Sequence, residues 1–447
     1  MNTPALTRNE LRARFARALS AMYRTEVPAY GTLVSLVEDV NAQTLERDHA
    51  LRAQLRASGG LDRISEERHG AIRLGTAAEL SGMRRLFRGF GMEPVGYYDL
   101  GVAGIPVHST AFRPVANADL AISPFRVFTS LLRTEAIADP SLRHDAEAAL
   151  QRRSIFHGQT LDLADRASER GGLSEREADE LIDGALETFR FRREAAVEQS
   201  TYEALRDAHA LIADVVSFQG PHINHLTPRT LDIDAVQVGM PERGVRPKAV
   251  VEGPPPRALP ILLRQTSFKA IEEAVTFSEG SEGAHTARFG EVEQRGTALT
   301  PKGRALYDQL LAEARAKVRP APDGSNADAY RSTLRETFGA FPDDAEQMRR
   351  EGLAYFRRAW IGTPQTVRDD AHENALVRDG VLAITPVTYE DFLPVSAAGI
   401  FQSNLGDTAH NITADAARSA FEVALGCPVA DEFALYTEQS ADRVHAA

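Results

Sequence analysis

The chain has 447 residues, 43% hydrophobic and 26% charged, the composition of a soluble globular protein able to bury a full core. Its 51 Lys and Arg against 63 Asp and Glu give a net charge of −12, which argues against nucleic acid or an anionic membrane as a main partner and leaves any anionic ligand dependent on a locally basic pocket. A single cysteine, Cys427, excludes an intrachain disulfide and a cysteine-based zinc or iron–sulfur site; with no secretory signal and no run near the ~20 apolar residues of a membrane span, a cytoplasmic location is expected.

Residues 1–60 read as an N-terminal helical segment. Leu11, Phe15, Leu19 and Met22 recur at helical spacing, and Thr7 or Asn9 can cap. Residues 61–133 read as a first β-α-β-β-β module. "ERHGAIRLGT" has strand character, and "AAELSGMRRLFRGFGM" is a helix closed by Gly89 or Gly91. The segments "EPVGYYDLG", "IPVHSTAFRPV" and "SPFRVFTSLL" are strands rich in β-branched and aromatic residues. A helical insertion fills 134–215, with Ser174 and Glu177 spaced as a capping box. From 216 to 300 the order repeats roughly: "PHINHLTPR", a helix from "TLDIDAVQVGMPERG", then strands at "KAVVEG", "ALPILLRQTSFKAI", "EEAVTF" and "ARFGEVEQRGTALT". Residues 301–375 read as helical, at least as far as Trp360, and 376–447 as a mixed segment ending in a helix near Ala414–Leu425.

Three of these stretches carry residues suited to chemistry. In "GPHINHLTPR", His222 and His225 lie between Pro221 and Pro228, which disfavour a long helix. On a strand, residues three apart face opposite sides, so one of the two can reach a shared metal, and spacing leaves open which. In "ERHGAIRLGT", His69 and Arg73 are four apart and share a strand face. Arginine offers a planar charged fork for a carboxylate, and an ion pair with Glu66 or Glu67 is the plain alternative. In "RFGEVEQRG", Glu291, Glu293 and Arg295 share one face. Buried carboxylates need a partner or a metal, and Arg288 or Arg295 could supply an ion pair. Two histidines from separate modules and one late-strand carboxylate match the two-histidine, one-carboxylate set of non-haem Fe(II) oxygenases, which leaves positions open for a chelating substrate and O2.

With "LPVSAAGIF", these stretches resemble the signature segments of the bacterial 2-oxoadipate dioxygenase/decarboxylase family, also called hydroxyglutarate synthases, over about Leu61 to Phe401. That family is related to vicinal-oxygen-chelate enzymes, whose paired βαβββ modules enclose a metal. The resemblance implies an α+β fold with a central metal-enclosing sheet, elaborated by N-terminal, inserted and C-terminal helices. It implies that His69, His225 rather than His222, and Glu293 rather than Glu291 bind Fe(II). It also implies that Arg73 holds a substrate carboxylate and that Val395 and Ser396 line the pocket. His222, Glu291, His108 and His285 remain supporting or structural candidates.

The reaction implied is 2-oxoadipate plus O2 giving D-2-hydroxyglutarate plus CO2, in lysine catabolism. One substrate then supplies both the oxidisable 2-oxo acid and the C–H bond. The expected partners are thus a small 2-oxo dicarboxylic acid and O2. Two other classes fit the same core: a Zn(II) or Ni(II) isomerase or hydrolase, and a binding protein that has lost its chemistry.

Overall fold

Thr7 opens the first helix, α1 (Arg8–Glu26): its hydroxyl accepts the Glu10 N–H, and the Glu10 carboxylate accepts the Thr7 N–H at 2.8 Å. Pro28 takes the first turn of α2 (Pro28–Arg47), so the long helical run expected here is broken into α1, α2 and two short helices, His49–Ala57 and Gly60–Glu66. The computed structural model describes residues 6–57, 60–321, 323–361, 363, 365–393, 414–441 and 443–445.

The protein is α+β. Its first module has the expected strands and helix in order, β1 (Arg68–Leu74), α3 (Ala77–Gly89), β2 (Glu93–Asp99), β3 (Val107–Arg113) and β4 (Arg126–Leu132), with an additional short helix, Asn117–Ile122, before β4. Thr76 and Glu79 cap α3 reciprocally. Past its end Gly91 sits at φ 70, the left-handed conformation that glycine adopts without a Cβ penalty. The helical insertion includes α4 (Ala210–Ser217), buried from Leu211 to Ser217. The Ser174–Glu177 capping box is present as read.

The second module begins with β5 (His225–Pro228) and α5 (Ile233–Glu242), followed by β6 (Leu263–Ser267), β7 (Glu272–Thr276), β8 (Glu282–Thr286) and β9 (Phe289–Arg295). β7 and β8 form their own antiparallel hairpin. The others join the first module in a seven-stranded sheet of order β2-β3-β4-β1-β5-β9-β6. At its middle, β1 and β5 run antiparallel, and each has its own module's last strand, β4 or β9, as a parallel neighbour. The two modules therefore meet through their first strands. Gly70 and Leu226 face each other in this register, and a Cβ on Gly70 would come within 3.1 Å of Leu226.

By compactness the chain forms two units, 1–248 with 266–292 and 394–429, and 249–265 with 293–393 and 430–447. The first holds most of the sheet. The second has its own apolar core around Tyr307, Leu310, Phe338, Met348 and Tyr436.

Three local expectations are corrected. Residues 248–253 form no strand: Glu252 and Gln265 exchange a single reciprocal pair of backbone hydrogen bonds at 2.8 and 2.9 Å. Gly253 then turns away at φ 105, where a Cβ would meet the Leu263 carbonyl oxygen at 2.2 Å. Residues Phe356–Ile361, read as helix, form a strand antiparallel to Leu382–Pro386, which buries Trp360 against Leu376 and Leu382. Finally, β8 was not expected, because its sequence EGAHT lacks strand composition. Among the described residues, no helix is long and apolar enough to cross a membrane.

Candidate metal centre

The register of the central strands decides where the histidines go. Thr227 faces His69 across the β1–β5 pair, and His225 faces Ala71. Alternation then places both imidazoles on one sheet face as diagonal neighbours. Their ring centroids are 5.6 Å apart and their planes nearly perpendicular, at 88°. β9 adds its side chains to the same face, because Phe289 lies beside His225 in the parallel register. The Phe289 ring packs on the His225 ring at 4.7 Å. Two residues on, Glu291 brings its Oε1 to 3.1 Å from His69 Nε2 and 4.0 Å from His225 Nε2. The Thr227 hydroxyl donates to the same oxygen at 3.2 Å. All three side chains are fully buried, and their ligand atoms lie within 4.8 Å of one another.

The strand ends are pinned from behind. The Tyr23 hydroxyl of α1 lies 2.7 Å from the Phe289 carbonyl and 3.0 Å from that of Asn224. Gly290, next to Glu291, has the Phe268 ring where a Cβ would stand, at 2.3 Å, so this position admits no side chain without repacking.

Glu293 follows Glu291 by one pleat. Its carboxylate is gripped bidentately by Arg295, at 2.8 and 2.9 Å, and Arg295 also donates to the carbonyls of Tyr389 and Asp391. The ion pair expected as an alternative for this stretch thus exists at Glu293. Arg288 instead pairs with Glu26 and Glu273.

Glu67 accepts from Arg63, Arg126 and Arg229, and Glu66 lies near Arg17. Arg73 donates Nη1 to Asp214 Oδ2 at 2.5 Å. Asp214, on α4, is the hub of a second buried cluster: His222 Nε2 lies 3.1 Å and His285 Nε2 2.9 Å from its Oδ1. Burial by itself would raise the Asp214 carboxyl, but the positive fields of His222 and Arg73 and the hydrogen bonds from both histidines outweigh it and hold the group well below the ordinary carboxylate range. His222 and His225 therefore belong to different clusters, His222 lying before the strand that starts at His225. Val395 and Ser396 lie outside the described residues. His108 sits apart, on β3, its ring against Phe421.

Sequence reasoning missed Asp214. The available signal was an acid inside "ALIADVVSF", since a charge in an apolar helix is costly without a partner.

Two imidazoles and a carboxylate, gathered at the seam of two similarly ordered modules, are a fitting donor set for a divalent first-row metal, and fold and site together define an α+β metalloprotein. The comparisons make this specific. The chain belongs to the 2-oxoadipate dioxygenase/decarboxylase family, whose model matches residues 15–404. A 2-oxoadipate dioxygenase/decarboxylase of Pseudomonas putida is 53% identical over 443 residues, 96% of this chain and 94% of its own. One from Escherichia coli is 53% identical over 439 residues, 97% of each chain. The crystal structure of the hydroxyglutarate synthase in complex with 2-oxoadipate from Pseudomonas putida superposes with a TM-score of 0.90 at 50% identity, covering 98% of this chain and 97% of that one.

Proposed function

We propose that this protein is an Fe(II)-dependent dioxygenase/decarboxylase that converts 2-oxoadipate and O2 to D-2-hydroxyglutarate and CO2. The observation that carries it is the meeting of His69 and His225, one from each module, beside a β9 carboxylate in a fully buried setting. The relatives named 2-oxoadipate dioxygenase/decarboxylase and the 2-oxoadipate complex support the substrate. The place in lysine catabolism rests on the family resemblance alone.

His69 and His225 bind the metal as neutral imidazoles. For the carboxylate we take Glu293, which the family pattern implies. A second reading has a specific observation behind it: Glu291 is the carboxylate found 3.1 Å from His69 Nε2. When bound, Fe(II) supplies open coordination positions for a bidentate 2-oxo acid and for O2. The chain does the rest. Phe289 and Thr227 fix the His225 ring and the Glu291 carboxylate. The buried surroundings exclude water from the reacting carbons. Arg73, on the same strand face as His69, receives a substrate carboxylate and compensates its charge in an otherwise acidic protein. The family pattern implies Val395 and Ser396 as further pocket residues, and both lie outside the described residues.

The test is anaerobic loading with Fe(II), addition of 2-oxoadipate, and admission of O2. One O2 consumed per CO2 and per 2-hydroxyglutarate supports the reading. Turnover with Zn(II) or Ni(II) and no O2 uptake would replace it with an isomerase or hydrolase.

A further inference from the structure

The Asp214 cluster is as buried as the candidate metal centre and shares no residue with it. Its donors are unusually many for one carboxylate. Oδ1 faces His222 Nε2 and His285 Nε2, at 3.1 and 2.9 Å, while Oδ2 accepts from Asn224 Nδ2 at 3.2 Å and from Arg73 Nη1 at 2.5 Å. The Tyr202 hydroxyl lies 3.0 Å from His285 Nδ1. With Tyr202 donating there, the His285 proton resides on Nε2 and points at Asp214. The ring of His285 is further held by Phe218, at 4.5 Å between centroids.

Two histidines and an aspartate invite the reading of a second metal site. The contacts oppose it. Both imidazole Nε2 atoms already address the same oxygen, and the other oxygen is in contact with a permanent guanidinium charge. A divalent cation here would sit beside Arg73 with no added anion to balance it. The arrangement is that of an anion built to hold an arginine.

We propose that Asp214 is a positioning residue for substrate binding: anchored by His222, His285 and Asn224, it fixes the guanidinium of Arg73 in the orientation that receives a carboxylate of the 2-oxo acid. Three elements converge for this purpose, α4 with Asp214, the lead-in to β5 with His222 and Asn224, and β8 with His285. Through Asn224 the anchor also touches β1, the strand that carries His69 and Arg73, since the Asn224 N–H bonds to the Ala71 carbonyl at 3.0 Å. This inference rests on the reading of Arg73 as the substrate anchor, and the experiment separates the two.

The experiment measures 2-oxoadipate binding to metal-loaded protein under argon by calorimetry, with metal content and steady-state kinetics alongside. The variants are D214N, R73A and the double variant R73A/D214N. The expected result is a Kd and a KM raised tenfold or more in D214N, kcat changed less than threefold, and metal content unchanged. In the R73A background D214N should add nothing, because its effect passes through Arg73. A D214N protein that melts earlier but binds 2-oxoadipate as the wild type does would overturn the proposal by reducing Asp214 to a structural role. An equal loss of affinity from D214N with and without Arg73 would overturn it too. Wild-type binding in R73A alone would remove Arg73 as anchor and the inference with it. Should D214N not fold, H222Q and H285Q each remove one imidazole from the carboxylate and keep an amide donor. Each is expected to weaken binding about threefold or more, and wild-type affinity in both would sink the proposal.

Discussion

His222 and His225 are separated by two residues, yet their rings address different carboxylates: His222 Nε2 lies 3.1 Å from Asp214, and His225 Nε2 lies 4.0 Å from Glu291. The backbone that carries His222 precedes β5 and belongs to no strand; it is tied to β1 where the Asn224 N–H bonds to the Ala71 carbonyl at 3.0 Å. The first prediction follows from this divergence. H69A and H225A should each lose most of the bound iron and all activity, whereas H222A should retain iron. Iron content by elemental analysis after anaerobic loading is the measurement. A metal-free H222A beside a metal-loaded H225A would reverse the assignment of the pair.

The second prediction concerns the carboxylate. Glu291 and Glu293 share a strand face, so periodicity cannot choose between them. With Glu293 as ligand, E293Q should lose iron while E291Q keeps it with reduced activity. The opposite pattern of iron contents would assign the ligand to Glu291. E293Q also leaves the buried Arg295 guanidinium without its carboxylate, so its melting temperature must be read beside its metal content.

How far the sequence alone reaches is clear from these same residues. The strands and main helix of the first module were legible, because the strands are β-branched or aromatic runs bounded by glycine and proline and the helix has a capping box at Thr76 and Glu79; the short helix Asn117–Ile122 was not read. The second module was only partly so. Lys248–Gly253 has strand composition but meets Gly253 and three prolines, and it makes only isolated bridges, Pro247 with Phe268 and Glu252 with Gln265, instead of a continuous strand. Phe356–Ile361 carries charged residues that suit a helix, and its strand character comes from the partner Leu382–Pro386, a contact that is distant in sequence. For the site, alternation was enough to put His69 and Arg73 on one face. It could not reveal that Arg73 pairs with Asp214, 141 residues away, because such partnerships are set by packing.

The third prediction addresses Arg73. R73A should weaken 2-oxoadipate binding by roughly 2–5 kcal/mol, the cost of losing one partner of a buried charged contact. It also leaves Asp214 without its cation, so some loss of thermal stability should accompany the loss of affinity. R73K should recover little, since an ammonium cannot match a planar fork that meets both Asp214 and a carboxylate. Wild-type KM in R73A would remove the residue from the substrate site.

The fourth prediction is a pH dependence of stability centred on His108. Burial chiefly, and the neighbouring Arg133 charge next, push this imidazole down to about 4, against the partial opposition of Glu135 and Asp99. Between pH 6.5 and about 4 the unfolded chain therefore holds a proton on His108 that the folded chain refuses. Stability should fall as pH drops through that window, by at most on the order of 3 kcal/mol from this group. Urea denaturation at pH 7 and pH 5 measures it, and H108Q should show a shallower loss. An unchanged slope in H108Q would mean that other groups carry the acid sensitivity.

The last prediction follows the oxygen atoms and tests the reaction rather than the site. If one bound 2-oxo acid is both decarboxylated and hydroxylated, both atoms of O2 end in one product molecule, one in the new C1 carboxylate and one in the C2 hydroxyl. The balance closes: six carbons and seven oxygens enter as 2-oxoadipate and O2, and the same number leave as 2-hydroxyglutarate and CO2. A hydrolase would incorporate oxygen from water, an isomerase none, and an oxygenase with a separate 2-oxo acid co-substrate would divide the two atoms between two molecules. The measurement is a short incubation with 2-oxoadipate under ¹⁸O2 and mass spectrometry of the 2-hydroxyglutarate, with fragmentation to separate the two positions. Label at both positions is the expected outcome, the hydroxyl label falling below the carboxylate label where water exchanges before the C–O bond forms. Product free of label at both positions would end the dioxygenase reading, whatever metal His69 and His225 hold.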